Sequence, residues 1–529
     1  MSKDLVIGVD CSTTASKAVV WDRHGSLLAE GRCALPLLMP RPTWYEQPAE
    51  SWWIATTQAL RQAIAEVNPD RLAALCITHQ RETFVPIDEK GQPMRNAIVW
   101  MDERSRSVLP DFDDLYGSDR IHQLTGKVVS SNLSLGKILW LRQNEPALFD
   151  RAFKYLDVHA YLVYRMTGRL RTGWGCADPM GLFDMRRHCW AQDLIQAIGL
   201  RMEQLPEAFA PGEILGEMTQ EAAVACGAPV GLPVVAGLGD GQAAGLGTNI
   251  TRPGSAYLSL GTSVISGVYS DAYVAERAFR TMNSGLPGAF LLETALMGGA
   301  YTINWFIEHF ANAADLISGA SAEAAFEAAI QHVPPGSLGL MLVPYWNSVL
   351  NPYWDAAASG IVVGWRGAHG RAHLYRSILE GIAFEQRLNT SGVEAAIGQT
   401  VESFIAMGGG ATSSAWLQIM ADITGKPVYR SSTPEAAALG AGILAASAAG
   451  LYADARQAAQ AMTHVEPTPF EPDPTRSAFY SRLYEQVYRH LFSALQPYLD
   501  RLTELAESME AAATGNVSLQ DANGARIMP

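Results

Sequence analysis

Residues 233–249, PVVAGLGDGQAAGLGTN, run from an apolar strand pattern into glycines and present a single acid, Asp240, before a small-residue helix pattern. An isolated carboxylate at a strand end can take a proton from an attacking hydroxyl. It serves equally as an N-cap over Gln242, Ala243 and Ala244, and the two roles are compatible. A second acid, Asp10, follows the opening apolar run Leu5–Val9 and precedes Ser12, Thr13, Thr14 and Lys17. Magnesium keeps most of its waters, so one strand-end carboxylate is enough to hold it. Hydroxyls, backbone N–H groups and a cation suit phosphate oxygens. A polar hairpin with Lys17 in solvent accounts for the same residues.

The opening pattern returns at Ala256–Val268, AYLSLGTSVISGV, where an apolar strand enters the turn Gly261-Thr262-Ser263 and leaves as another strand. Either turn alone is a weak signal, but two facing hairpins can hold the two ends of a polyphosphate. Met407–Trp416, MGGGATSSAW, sends a further strand into glycines and then a helix. Such a junction can take an α-phosphate or the flat face of an adenine, and it also reads as a tight turn. Gly298-Gly299 before the amphipathic Tyr301–Phe310 is a fainter case. Arg81 and Glu82 follow the strand pattern Leu72–Thr78. Five donors beside a two-oxygen acceptor suit a vicinal diol, with a structural ion pair as the plainer alternative. Trp100 and Asp102 could add an apolar wall and another acceptor. His79 reads as a supporting residue and His159 as structural.

Positioning these residues takes two similar lobes. Asp22-Arg23-His24-Gly25 signals a turn and Leu27–Gly31 a third strand, so the chain opens as a β-meander. Glu50–Val67 carries apolar residues at helical spacing behind Pro48, and strands and helices alternate to about residue 250. Two copies of one strand–turn–strand device, about 250 residues apart, imply a duplicated α/β domain with a cleft between the copies. Thr251-Arg252-Pro253-Gly254 is a credible joint. The expected division is 1–252 for the first domain and 253–508 for the second. Residues 509–529, small and polar, are expected to form a frayed tail.

The 529 residues, 48% hydrophobic and 17% charged, are ample for one or more buried cores. A net charge of −14 argues against a general nucleic-acid binder, though not against a nucleotide in a glycine-lined pocket. Six scattered cysteines without a C-x-x-C pair suggest neither a metal site nor a disulfide scaffold, and point to a cytoplasmic protein. The N-terminus enters a strand pattern with no signal-peptide h-region. Ala436–Leu451, the longest small-apolar stretch, is broken by Gly440, Gly442, Ser447 and Gly450. It reads as a closely packed helix pair rather than a membrane span. P-loop, H-E-x-x-H and G-x-S-x-G templates all fail.

Together these segments resemble the FGGY family of carbohydrate kinases over about residues 5–500. VDCSTTASKAVVWD is similar to the family's first phosphate segment, with Ser12 where glycine is usual. Asn132–Asn144, NLSLGKILWLRQN, matches the first family signature through Ser134, Lys137, Trp140, Gln143 and Asn144, but not at Asn132. Gly360–Glu380 matches the second through Gly364, His373, Leu374, Ser377 and Glu380, with Trp365 in an aliphatic place. The resemblance implies two actin-like, ribonuclease-H-like lobes closing over ATP, Mg2+ and a small sugar or polyol, with a homodimer as the family expectation. It implies Asp240 as general base and Asp10 with Asp240 at the magnesium. Ser12, Thr13, Thr14, Lys17, Gly261 and Thr262 would line the phosphates, and Gly299, Gly409, Gly410, Ala411 and Ser414 the adenosine. Arg81, Glu82, Trp100, Asp102, Asn132 and Gln242 would bind the acceptor. Asn132 replaces the substrate-stacking tyrosine of glycerol kinases, while Trp100-x-Asp102-x-Arg104 resembles pentulose kinases. A five-carbon ketose such as xylulose fits this mixture best, with glycerol as the alternative. A filament or chaperone ATPase of the same fold would need no diol site.

Overall fold

Apolar runs on either side of the hydroxyl-rich turn after Asp10 pair as an antiparallel hairpin, Leu5–Cys11 with Ala15–Trp21, which sets Asp10 opposite Lys17. The computed structural model describes residues 3–311, 322–346 and 348–521. In it Leu27–Ala34 extends the hairpin antiparallel, and Leu72–His79 and then Pro233–Gly239 join in parallel on the other side. Ile214–Glu217 closes that edge to give a six-stranded sheet. Every residue of Leu72–His79 is buried, because helices cover both faces. The Ala49–Ala65 helix packs with Leu5, Ile7 and Val9 on one side, and the Ala436–Ala448 helix packs with Val6 and Val19 on the other.

The second lobe repeats the plan. Ser255–Leu260 and Val264–Ser270 form the hairpin, and Phe290–Leu296 extends it antiparallel, with Arg280–Asn283 at the edge. Ser403–Met407 and Val428–Arg430 join in parallel on the other side. Three antiparallel strands followed by two parallel ones, in the same spatial order in both sheets, make each lobe ribonuclease-H-like. The α/β architecture is thus a duplication with a cleft between the copies.

The small-residue stretch is a single helix, Ala436–Ala448, and the helix it packs on is Asp240–Gly247 of the first lobe. A Cβ at Gly440 would lie 1.9 Å from the Ala243 carbonyl oxygen, and one at Gly247 1.9 Å from that of Ala436. Backbone therefore meets backbone, which fixes Asp240, the first residue of its helix, at the floor of the cleft. A smaller five-stranded sheet built from Leu38–Arg41, Trp44–Gln47, Ala97–Ile98, Phe84–Ile87 and Lys154–Asp157 carries the segments around Glu82 and Trp100. Helix Arg489–Asp521 takes in the start of the segment expected to be a frayed tail, and residues 522–529 lie outside the described residues. Among the described residues no helix is long and apolar enough to cross a membrane.

Candidate active site

The first hairpin turn is shaped by its own hydroxyls. Ser12 donates through both its backbone N–H and its Oγ to the Ala15 carbonyl, each at 2.9 Å. Thr13 Oγ1 accepts from Trp100 Nε1 at 2.9 Å, while Thr14 is exposed. Lys17 is not in solvent but paired at 2.5 Å with Glu435, which precedes the Ala436–Ala448 helix. Asp10 Oδ1 is buried without a hydrogen-bond partner. Burial first, and then the negative charge of Asp240 and Glu435, push its carboxyl up to about 7. An orphaned buried carboxylate oxygen among like charges fits a divalent cation, which would offset both effects. Among the described residues no three metal-ligating side chains cluster together. That donor set suits a water-rich magnesium on one or two carboxylates, Asp10 and Asp240, rather than a closed protein cage.

Asp240 is the first residue of its helix, with Gly239 as the cap, and makes no capping bond of the kind expected of an N-cap. Its Oδ1 accepts from Gly241 N–H at 2.7 Å and forms an ion pair with Arg81 Nε at 2.8 Å. Its side chain is 45% exposed, whereas that of Arg81 is 9% exposed. A cavity of about 210 Å³ joins Asp240 and Arg81 to Tyr257, Ser259, Met407 and Gly408 of the second lobe. Arg81 and Glu82 do not pair with each other. Arg81 Nη1 donates to Glu293 at 2.7 Å, and Glu82 accepts from Arg280 at 3.0 Å. Burial pushes the Glu82 carboxyl up, against Arg280 and Arg81.

Trp100 and Asn132 share a cavity of about 600 Å³ that the second lobe closes with Met297 and Trp354. Both are pinned by Lys137, whose Nζ donates to the Trp100 carbonyl at 2.9 Å and to the Asn132 carbonyl at 2.5 Å. Burial pulls the Lys137 ammonium down to about 7. Asp102 corrects the sequence expectation. It is fully buried, and its oxygens are taken by Arg104 Nε at 2.8 Å, Arg104 Nη2 at 2.8 Å and Tyr45 N–H at 2.6 Å, so it braces the wall and offers nothing to an acceptor. Gln242 is likewise buried, its Nε2 donating to the Gly175 carbonyl at 2.9 Å and its Oε1 without a partner. His79 and His159 are buried and held down near 4 by that burial, which suits neutral structural rings.

Across the cleft, a cavity of about 530 Å³ is bounded by Gly261, Thr262, Gly409 and Gly410, with Ser413 capping the Ser414–Thr424 helix beside it. Helix N-termini favour anions. Gly299 packs on the back of the Gly261–Ser263 turn, where a Cβ would fall 2.8 Å from Ser263 C, and its neighbour Ala300 lines the cavity. Ala411 is buried and Ser414 exposed; both bond to Arg430 behind the rim. Gly408 lines the Asp240 cavity and Gly409 this one, so the two spaces adjoin.

Sequence reasoning missed Arg280, Glu293 and Glu435, and assigned no role to Lys137. Glu293 had a signal, being the only charge in the otherwise apolar strand Phe290–Leu296. The others had none, because their partners are remote in sequence.

Residues 5–247 match the N-terminal domain of the FGGY family of carbohydrate kinases, and residues 256–449 its C-terminal domain. The chain is 28% identical over 497 residues to the xylulose kinase of Bacillus subtilis (strain 168), covering 92% of this chain and 97% of that one. It is 31% identical over 464 residues to the glycerol kinase of Thermococcus kodakarensis, covering 86% and 90%. The crystal structure of xylulose kinase from Rhodospirillum rubrum superposes with a TM-score of 0.85 at 27% identity, over 94% of this chain and all of that one. With both domains matched in order on a cleft that sets an aspartate beside a glycine-lined cavity, the chain belongs to the FGGY family of carbohydrate kinases, phosphotransferases whose acceptor is an alcohol group.

Proposed function

We propose that the protein is an ATP-dependent kinase of a small ketose or polyol, with a pentulose such as xylulose as acceptor and Asp240 as general base. The observation that carries this reading is the adjacency of two cavities. One holds Asp240 and Arg81, and the other is bounded by Gly261, Thr262, Gly409 and Gly410. An acceptor hydroxyl at Asp240 would thus face the terminal phosphate of a nucleotide seated on the glycines. Phosphoryl transfer needs little covalent help from protein, so alignment and charge neutralisation carry it.

The hydrogen bond from Gly241 N–H falls on Oδ1, and Oδ2 would take the hydroxyl proton. The acceptor oxygen then attacks the γ-phosphorus as its bond to the bridging oxygen breaks, and ADP leaves. Glu82 and Arg81 would grip neighbouring hydroxyls, Trp100 would wall the pocket, and Asn132 would add a polar contact. Thr14, Thr262 and the Ser12–Thr13 backbone would line the phosphates. Magnesium held at Asp10 and Asp240 would neutralise phosphate charge. Trp100 and Asn132 line a cavity of their own of about 600 Å³, and a pentulose, longer than glycerol, could reach from Asp240 toward it.

The test is ADP release with ATP and magnesium against glycerol, erythritol, the pentitols and the D- and L-pentuloses, with Asp240→Asn beside the wild type. Release confined to one pentulose and lost in the variant supports the reading. Release with glycerol alone makes it a glycerol kinase. Equal release with every compound and in the variant overturns it in favour of an ATPase.

A further inference from the structure

Behind the acceptor grip lies a chain of alternating charges that crosses between the lobes. Asp240, Arg81 and Glu82 come from the first lobe; Glu293 and Arg280 come from adjacent strands of the second. Arg280 spans two carboxylates, with Nη1 at 3.0 Å from Glu82 Oε1 and Nη2 at 2.5 Å from Glu293 Oε1. Glu293 spans two guanidinium groups, its other oxygen accepting from Arg81 Nη1 at 2.7 Å. Arg81 is thereby held with its Nε 2.8 Å from Asp240 Oδ1. The side chains of Glu293 and Glu82 are 2% and 6% exposed, and burying such charges is tolerated only when they are paired.

Two further features show that the space is built for this chain. A Cβ on Gly241 would lie 2.6 Å from Glu293 Oε2, so the residue after Asp240 is one that admits the Glu293 carboxylate. Glu82 has φ of 55°, a left-handed backbone that is uncommon for a side-chain-bearing residue. Ser134 Oγ holds its carbonyl at 2.9 Å, and Arg280 holds its carboxylate. Such conformations persist where surrounding contacts over-determine them.

We propose that Arg280 and Glu293 are positioning residues supplied by the second lobe: Arg280 orients Glu82 toward the acceptor, and Glu293 anchors Arg81 beside Asp240. This rests on the kinase reading above for its role in turnover. Glu293 claims Nη1 from the second-lobe side, so Arg81 is tethered at one end while its Nε lies 2.8 Å from Asp240.

Two conservative variants separate the roles. Arg280→Lys keeps the charge but cannot span both carboxylates, and Glu293→Asp keeps the charge but falls short of both arginines. On the acceptor that the wild type phosphorylates, Arg280→Lys is expected to raise the acceptor KM about tenfold, and Glu293→Asp to lower kcat about tenfold, with ATP KM within about twofold in each. A merely structural role would reduce the active fraction and leave KM values and kcat per active site unchanged, which would overturn the proposal. Crystal structures of the variants decide it without an acceptor. The Glu82 carboxylate should leave its place in Arg280→Lys, and Arg81 should turn on Asp240 in Glu293→Asp; unmoved side chains would overturn it. Should no acceptor raise ADP release by the wild type, the kinase reading fails and the two structures still settle the positioning.

Discussion

The two hairpins are copies of one device with different chemistry. In the first, Asp10 ends the strand, Lys17 stands opposite it, and Glu435 comes across from the second lobe to pair with Lys17. In the second, Ser259 occupies the corresponding strand end and faces Ile265, and the turn is glycine, threonine and serine. The first hairpin therefore meets the ionic groups that would manage a metal and a proton, Glu435 of the second lobe among them, whereas the second hairpin turn is itself neutral, with Glu323 and Glu327 elsewhere on its cavity wall. The division has a physical logic. A polyphosphate brings its own negative charge, which N–H groups and hydroxyls of a turn bind without counter-charge. The lesson is that duplication fixed the geometry while substitution at a few turn positions divided the labour.

The sharpest way to break this comparison is Asp240→Asn, which removes proton abstraction from the first lobe alone. We expect kcat to fall about 10²–10⁴-fold, with ATP affinity, measured by calorimetry, unchanged. A matching loss of ATP binding would mean that the lobes do not divide the work.

Asp10→Asn comes next, with an expected loss of magnesium-dependent turnover of about 100-fold. The same variant has a stability signature. Asp10 sits near 7 in the folded protein against an ordinary value of 3.8. Between those values the metal-free fold holds a proton that the unfolded chain has released, so stability falls as pH rises through this window. At 1.36 kcal/mol per pH unit the step is at most about 4 kcal/mol. Asp10→Asn should flatten the slope and raise the melting midpoint of the metal-free protein above pH 7. A slope that persists in the variant would assign it to another group.

On the neutral side, Gly410→Val would put a Cβ 2.3 Å from Trp416 Cζ3 and 2.9 Å from Leu260 Cβ. The crowded rim should raise ATP KM about tenfold and leave acceptor KM within about twofold. The smallest effect is expected from moving the acid across. Adding Ser259→Asp to Asp10→Asn should leave turnover within about threefold of the single variant, since Ser259 enters the Asp240 cavity from the second lobe and does not restore an acid at the Asp10 strand end. Recovery of activity would show the hairpins to be interchangeable.

Much of this was legible in the sequence where the determinants are local. Hydroxyls between two apolar runs specify a polar turn, and a strand entering glycines before a small-residue run specifies a strand–helix junction with Asp240 at its mouth. The glycines of Ala436–Ala448 announced close helix packing, because only small residues let backbones approach. Asp102 misled because a strand-end acid beside Trp100 has the same sequence signature whether it binds a ligand or braces an arginine. Arg104, two residues on, takes both its oxygens.

The sequence alone determined the repeated strand–turn–strand plan, the aspartates that end two of its strands and the glycines that border a nucleotide-sized space. All of these follow from patterns within about ten residues, the range over which backbone propensity and side-chain periodicity act. Only the tertiary structure decided how the charges pair. Arg81 meets Glu293 across 212 positions and Lys17 meets Glu435 across 418. Those pairings depend on how two lobes settle against each other, and burial makes them obligatory only once that has happened, because a charge excluded from water must find whichever opposite charge the fold has brought near.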